Sequence, residues 1–96
     1  MEAKHTPGAW IAKREGFSTI YIEAPIGGGV TQEVAACGPT ADGPAQQEAN
    51  AVLIAAAPEL LEALQKIARM DYGNPYAKAC ADVARESILK ATGETA

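Results

Sequence analysis

Large side chains are scarce in this 96-residue chain, where one Trp, one Phe and three Tyr stand against 21 alanines. A core of that composition gains its contacts from close backbone approach rather than bulk, and the length allows one modest core. A multidomain enzyme is excluded, residues 1–96 read as a single domain, and a homo-oligomer is expected because one copy covers its apolar surface poorly. Basic residues are also few, at 8 Lys and Arg against 12 Asp and Glu. Residues 1–43 hold three basic and five acidic groups and residues 44–96 hold five and seven, so each half carries −2 of the net −4. With no cluster of cations to release counterions, polymeric nucleic acid and anionic membranes are excluded as partners.

Long apolar runs are missing too. The longest spans residues 52–58, far short of the roughly 20 residues that cross a bilayer. The first eight residues lack the apolar stretch of a signal peptide, so the protein is expected in the cytosol where it is made. Two cysteines, Cys37 and Cys80, and one histidine fall below the four ligands of a structural zinc site. Neither a metal nor another cofactor is expected, and a reducing compartment keeps both cysteines as thiols.

What remains divides into strand-like and helix-like halves. Residues 10–14 and 17–23 read as strands joined by Glu15-Gly16, with Ile20 and Ile22 on one face and Thr19, Tyr21 and Glu23 on the other. A break at Pro25-Ile-Gly-Gly-Gly29 precedes a third strand, residues 30–37. The spacing therefore predicts an antiparallel β-meander over residues 1–39. From Ala45 onward Leu53, Ala57, Leu60, Leu61, Leu64, Ile67 and Ala68 recur at helical steps in one phase. They predict a long helix kinked at Pro58, where the carbonyl of Ile54 loses its partner, with a sheet-facing stripe centred on Leu53, Leu60, Leu61 and Leu64. Tyr72-Gly73-Asn74-Pro75 supplies a C′ glycine, an N-cap and an N1 proline in succession. A second helix follows to about residue 91, striped by Tyr76, Cys80, Val83, Ala84, Ser87, Ile88 and Ala91. The fold class is thus α+β, a meander followed by a helical hairpin over residues 44–91, with 92–96 as a frayed tail.

No catalytic constellation emerges. His5, the only imidazole, has no nucleophile or carboxylate that the sequence places against it, and Glu59 and Glu62 read as solvated carboxylates. Gly27-Gly28-Gly29 joins two strands rather than a strand to a helix, which favours a hairpin loop over an anion cradle. Asn50 falls on or beside the apolar stripe. It either pins the helix to neighbouring backbone or presents an amide to a ligand. Trp10 and Tyr21 carry the same ambiguity, as core aromatics or as stacking surfaces.

Two stretches resemble a known group. His5-Thr-Pro-Gly-Ala-Trp10 is similar to the His-Thr-Pro-Gly-Pro-Trp opening of a group of small tailed-phage and prophage proteins. Glu48-Ala-Asn-Ala-Val-Leu-Ile-Ala-Ala-Ala-Pro-Glu-Leu-Leu-Glu-Ala-Leu64 resembles their long-helix signature, kink included. Ala9 replaces a common Pro, and Val52 replaces a frequent Arg whose charge-assisted bonds a valine does not supply. The resemblance implies a phage accessory protein acting in the cytoplasm of the infected bacterial host. The predicted layout also resembles that of a phage sponge for cyclic-ADP-ribose-type immune signals, an analogy of architecture. Together these imply a non-enzymatic anti-defence protein that binds and sequesters a small nucleotide-derived ligand; direct binding to a host defence protein is the alternative. In such a pocket Lys13 or Arg14 would meet phosphate, Trp10 or Tyr21 a ring, and Asn50 a polar edge. His5 and Thr6 would close it if the N-terminal turn folds against the start of the long helix.

Overall fold

Ile20, Ile22 and Ala24 are buried while Tyr21 and Glu23 between them stay half-buried, the alternation expected of a strand covered on one face. A computed structural model describes residues 4–16, 18–70 and 73–94. In chain order it contains β1 (Ile11–Glu15), β2 (Thr19–Gly27), β3 (Val30–Cys37), α1 (Pro44–Ala55), α2 (Ala57–Ala68) and α3 (Pro75–Thr92). The chain divides into two compact units, Met1–Pro58 and Glu59–Ala96.

The first unit is the predicted meander, an antiparallel sheet of order β1-β2-β3, with α1 across one face. The register sets Lys13 opposite Tyr21 and Arg14 opposite Ile20 on one side, and Ala36 opposite Tyr21 and Cys37 opposite Ile20 on the other. Phe17, expected to begin the second strand, lies outside the described residues. β2 runs past the expected break at Pro25, as far as Gly27. Beyond Glu23 its only neighbour among the described residues is β3, so it is locally an edge, and the ladder shifts register between Pro25 and Gly27. Those are the two circumstances in which a strand tolerates proline. Gly28 and Gly29, at φ 62° and 75°, make the two-residue turn that positive φ at both positions defines; the glycine run is a hairpin loop.

Gly43 is the N-cap of α1 and Pro44 opens its first turn. The helix meets the sheet through Gln47, Ala51, Ile54 and Ala55, spaced at four, three and one residues. Ile20, Ile22, Cys37 and Ala51 form the core, with Trp10, Ala12, Val34, Ala35, Ile54 and Ala55 packed around them. Ala51 has no exposed surface, so the helix lies close over the strands. The expected sheet-facing stripe is corrected here: Leu53 is 62% exposed. It stands about 200° around the helix from Ala51, and the small Ala51 takes the contact that its bulk suggested.

The helical run is interrupted at Ala56. Pro58 has no N–H to give Ile54 and its ring crowds that carbonyl. The Ala56 N–H reaches the carbonyls of both Val52 and Leu53, at 3.1 and 3.2 Å, and so closes α1 tightly. The long helix of the sequence is therefore two helices, and the boundary between units follows Pro58.

In the second unit Leu61 is buried and Leu64 half-buried, whereas Leu60 is exposed. α2 ends at Ala68, so Gly73 is not its C′ residue as expected. Asn74 does cap α3, its side chain accepting from the N–H groups of Tyr76 (2.9 Å) and Ala77 (3.5 Å), and Pro75 follows at N1. At the other end Gly93 adopts φ 74° and the Glu94 N–H bonds the Leu89 carbonyl at 2.8 Å, a left-handed cap. The stripe on α3 is corrected as well: Ala81 and Ala84 are buried with Ala77 and Ile88 half-buried, while Tyr76, Cys80, Val83 and Ala91 are exposed. Both phases fit helical spacing, and the alanine phase lets the helix be approached closely. Arg85 ties α3 to the end of α2 by donating to the Ala68 carbonyl at 3.0 Å. A hydrogen bond from Lys78, with Arg85 close by, holds the exposed Asp82 carboxyl below its ordinary pKa.

Candidate functional site

Small residues on two facing elements leave space between them. Ala12 and Arg14 are the inward positions of the edge strand β1, set opposite Ile22 and Ile20. Glu48, Ala51 and Val52 form the adjoining flank of α1. Ala12, Arg14, Ile20, Glu48, Ala51 and Val52 line a cleft of about 220 Å³. Its apolar sides come from the two alanines, Ile20 and Val52. Its charges are one guanidinium and one carboxylate, both exposed. Among the described residues neither has an ion pair, although Lys13 next to Arg14 is held by Glu15 at 3.4 Å. The set suits a planar apolar group with an anionic oxygen for the Arg14 fork and an N–H for the Glu48 carboxylate.

The N-terminal turn forms a separate cluster. The Trp10 indole N–H donates to the Thr6 carbonyl at 3.0 Å, and His5 Nδ1 lies 3.0 Å from the same oxygen. A carbonyl only accepts, so it takes this second bond in the tautomer that has its proton on Nδ1. The imidazole and indole meet edge to face with centroids 6.1 Å apart. Trp10 also packs on the core, which answers its ambiguity in favour of structure. Gly8 approaches Pro58 so closely that an added Cβ would sit 2.9 Å from the proline Cβ. The turn thus lies beyond the end of α1, not against its start as the closing role of His5 and Thr6 required.

The other expected residues spread around the unit. Lys13 and Tyr21 face each other across β1 and β2, on the sheet face opposite the core. Asn50 is exposed, not on the apolar face of α1. Two residues before Val52, it points about 200° away from it around the helix, to the flank opposite the cleft. Of His5, Thr6, Trp10, Lys13, Arg14, Tyr21 and Asn50, only Arg14 lines the cleft; His5, Thr6 and Trp10 are together elsewhere.

Two residues escaped the sequence reading. Glu48 is the only charged side chain on α1, and that isolation was its one signal. Gln47 is the amide that pins helix to sheet. It is 3% exposed, and its Nε2 donates to the carbonyls of Ser18 and Cys37, both at 2.9 Å. Its position four residues before Ala51 becomes meaningful only once Ala51 is known to face the strands.

A family model described as Salmonella phage P22 protein Y8K6 matches residues 1–95 of the chain. No curated protein and no solved structure matches it. Among the described residues no helix is long and apolar enough to cross a membrane.

Proposed function

The chain belongs to the family of Salmonella phage P22 protein Y8K6, and from that premise we propose that it counters host defence by sequestering a small nucleotide-derived signal without altering it. The observation that carries this reading is the cleft, where Arg14 and Glu48 flank apolar walls and neither charge has an ion-pair partner among the described residues. A nucleotide offers the matching set: a flat ring for Ala12 and Val52, ring N–H groups for Glu48, and phosphate for Arg14. The ligand class needs no excess of basic residues, because one guanidinium fork makes two charge-assisted bonds to a single phosphate. The site of action is the cytoplasm of the infected host.

The test is release. Purified protein is incubated with lysate from signalling-active cells, freed of unbound solutes and heat-denatured, and the supernatant is analysed by mass spectrometry. An intact nucleotide is expected, with Arg14→Ala lowering its retention by about tenfold or more and Asn50→Ala leaving it unchanged. Repeated recovery of nothing across several defence systems would overturn the reading. A second reading rests on α3, where Tyr76 and Val83 are 84% and 67% exposed. Such a ridge suits direct binding to a host defence protein, which recovery of one stoichiometric host protein and no small molecule would favour.

A further inference from the structure

Resting on the function just proposed, we infer that the cleft selects guanine among the nucleotide bases, with Glu48 as the residue that makes the choice. Of the six side chains that line the cleft, Glu48 alone has oxygens that accept a hydrogen bond. Arg14 only donates, and Ala12, Ile20, Ala51 and Val52 do neither. Phosphate is common to every nucleotide, so Arg14 holds all of them alike. Discrimination between bases therefore falls to one carboxylate. Its own helix does not alter what that carboxylate offers, because the residues three and four positions away on α1 are Pro44, Ala45, Ala51 and Val52, none with a polar side-chain atom.

A carboxylate presents two acceptor oxygens side by side and no donor. The base that answers it has two adjacent N–H donors on one edge. Guanine does: its ring N1–H and its N2 amino group point the same way on the Watson–Crick edge and meet both oxygens in parallel, as an arginine fork does. Adenine and cytosine each set an amino group beside a bare ring nitrogen, whose lone pair would face the second oxygen. Uracil has one N–H between two carbonyls. Each of those three makes at most one bond to Glu48 on that edge and brings an acceptor against it, an arrangement that selects by repulsion as well as attraction. The size of the cleft agrees with a single base, since about 220 Å³ falls below the roughly 300–1,000 Å³ of pockets that enclose a drug-sized ligand. Val52 stands one turn after Glu48 on the same flank of α1 and gives the ring an apolar wall next to the carboxylate.

Guanosine, inosine and adenosine monophosphates separate the two bonds, because inosine lacks only the N2 amino group and adenosine also carries a lone pair at N1. Each is titrated into the purified full chain by isothermal calorimetry, with circular dichroism confirming that each variant is folded. Affinity should fall about tenfold from guanosine to inosine monophosphate, and about tenfold again or more to adenosine monophosphate. Glu48→Gln, whose amide sets a donor beside an acceptor, should abolish the guanine preference and bind adenosine monophosphate at least as tightly as guanosine monophosphate. Arg14→Ala should weaken all three by a similar factor and keep their order. Equal affinities for the three overturn the inference. So does a guanine preference that survives Glu48→Gln, or failure of all three to bind at millimolar concentration. Release of an intact adenine or pyrimidine nucleotide from the lysate-treated protein would overturn the choice of base and leave the sequestering function standing. Release of nothing, with the three monophosphates still bound in the Glu48-dependent order, would do the reverse.

Discussion

Ile22→Ala should cost about 4 kcal/mol, high in the range for truncating a buried isoleucine. Ile22 has no exposed surface and sits on the central strand, where its register partners are Ala12 on β1 and Ala35 on β3. Ala51 belongs to the same cluster. Alanines on three sides have nothing to swing into the vacated space, so the cavity persists instead of collapsing. Against a total stability of roughly 5–15 kcal/mol for a chain of this size, that loss leaves little. Urea denaturation read by the single tryptophan measures it directly, because Trp10 packs on the same core. Ile22→Val, which removes one methyl, should cost about 1 kcal/mol in that assay. A loss below 1 kcal/mol for the alanine variant would mean that this cluster does not hold the sheet unit together.

Gln47→Leu keeps the side chain's approximate size and should still cost about 2–4 kcal/mol. The amide donates to two carbonyls at one end of the antiparallel β2–β3 pair, Ser18 just before β2 and Cys37 at the end of β3. Leucine returns nothing to either oxygen, and a buried acceptor left without a donor costs about 1–3 kcal/mol. Asn50→Ala, on an exposed position one turn along the same helix, should shift stability by no more than about 0.5 kcal/mol. The same urea titration compares the two, and equal effects would show that Gln47 does not latch the helix to the strands.

The elements whose local chemistry is self-sufficient were legible. Alternation of apolar and polar residues found the meander, and Asn74-Pro75 announced the start of α3 because cap and N1 proline act within one turn. Pro58 was legible as a disturbance, though not as the division of one helix into two. Helix phase was harder to read. The bulky residues Leu53, Tyr76 and Val83 marked a face by hydrophobicity, yet Ala51, Ala81 and Ala84 are the residues covered. Alanine's value lies in how near it lets another backbone come, which composition does not record. The same substitution of phase misplaced the buried amide at Asn50 instead of Gln47. The expected ligand set failed to converge for a related reason: Arg14 and Lys13 are neighbours in sequence and lie on opposite faces of a strand, and Asn50 occupies the flank of α1 turned away from Arg14.

The two free thiols fall one in each unit and at opposite extremes of access: Cys37 is buried beneath α1, and Cys80 is exposed on α3. A thiol reagent added in excess therefore runs two clocks on one molecule. Cys80 reacts at the pace of an open side chain and times the chemistry itself. Cys37 becomes reachable only when the helix lifts from the strands, so its labelling rate reports the free energy of that opening. The Gln47 latch spans the Cys37 carbonyl, so its removal should quicken the slow clock and leave the fast one unchanged. That readout separates loosening of the sheet unit from loosening of the whole chain without engineering a single probe.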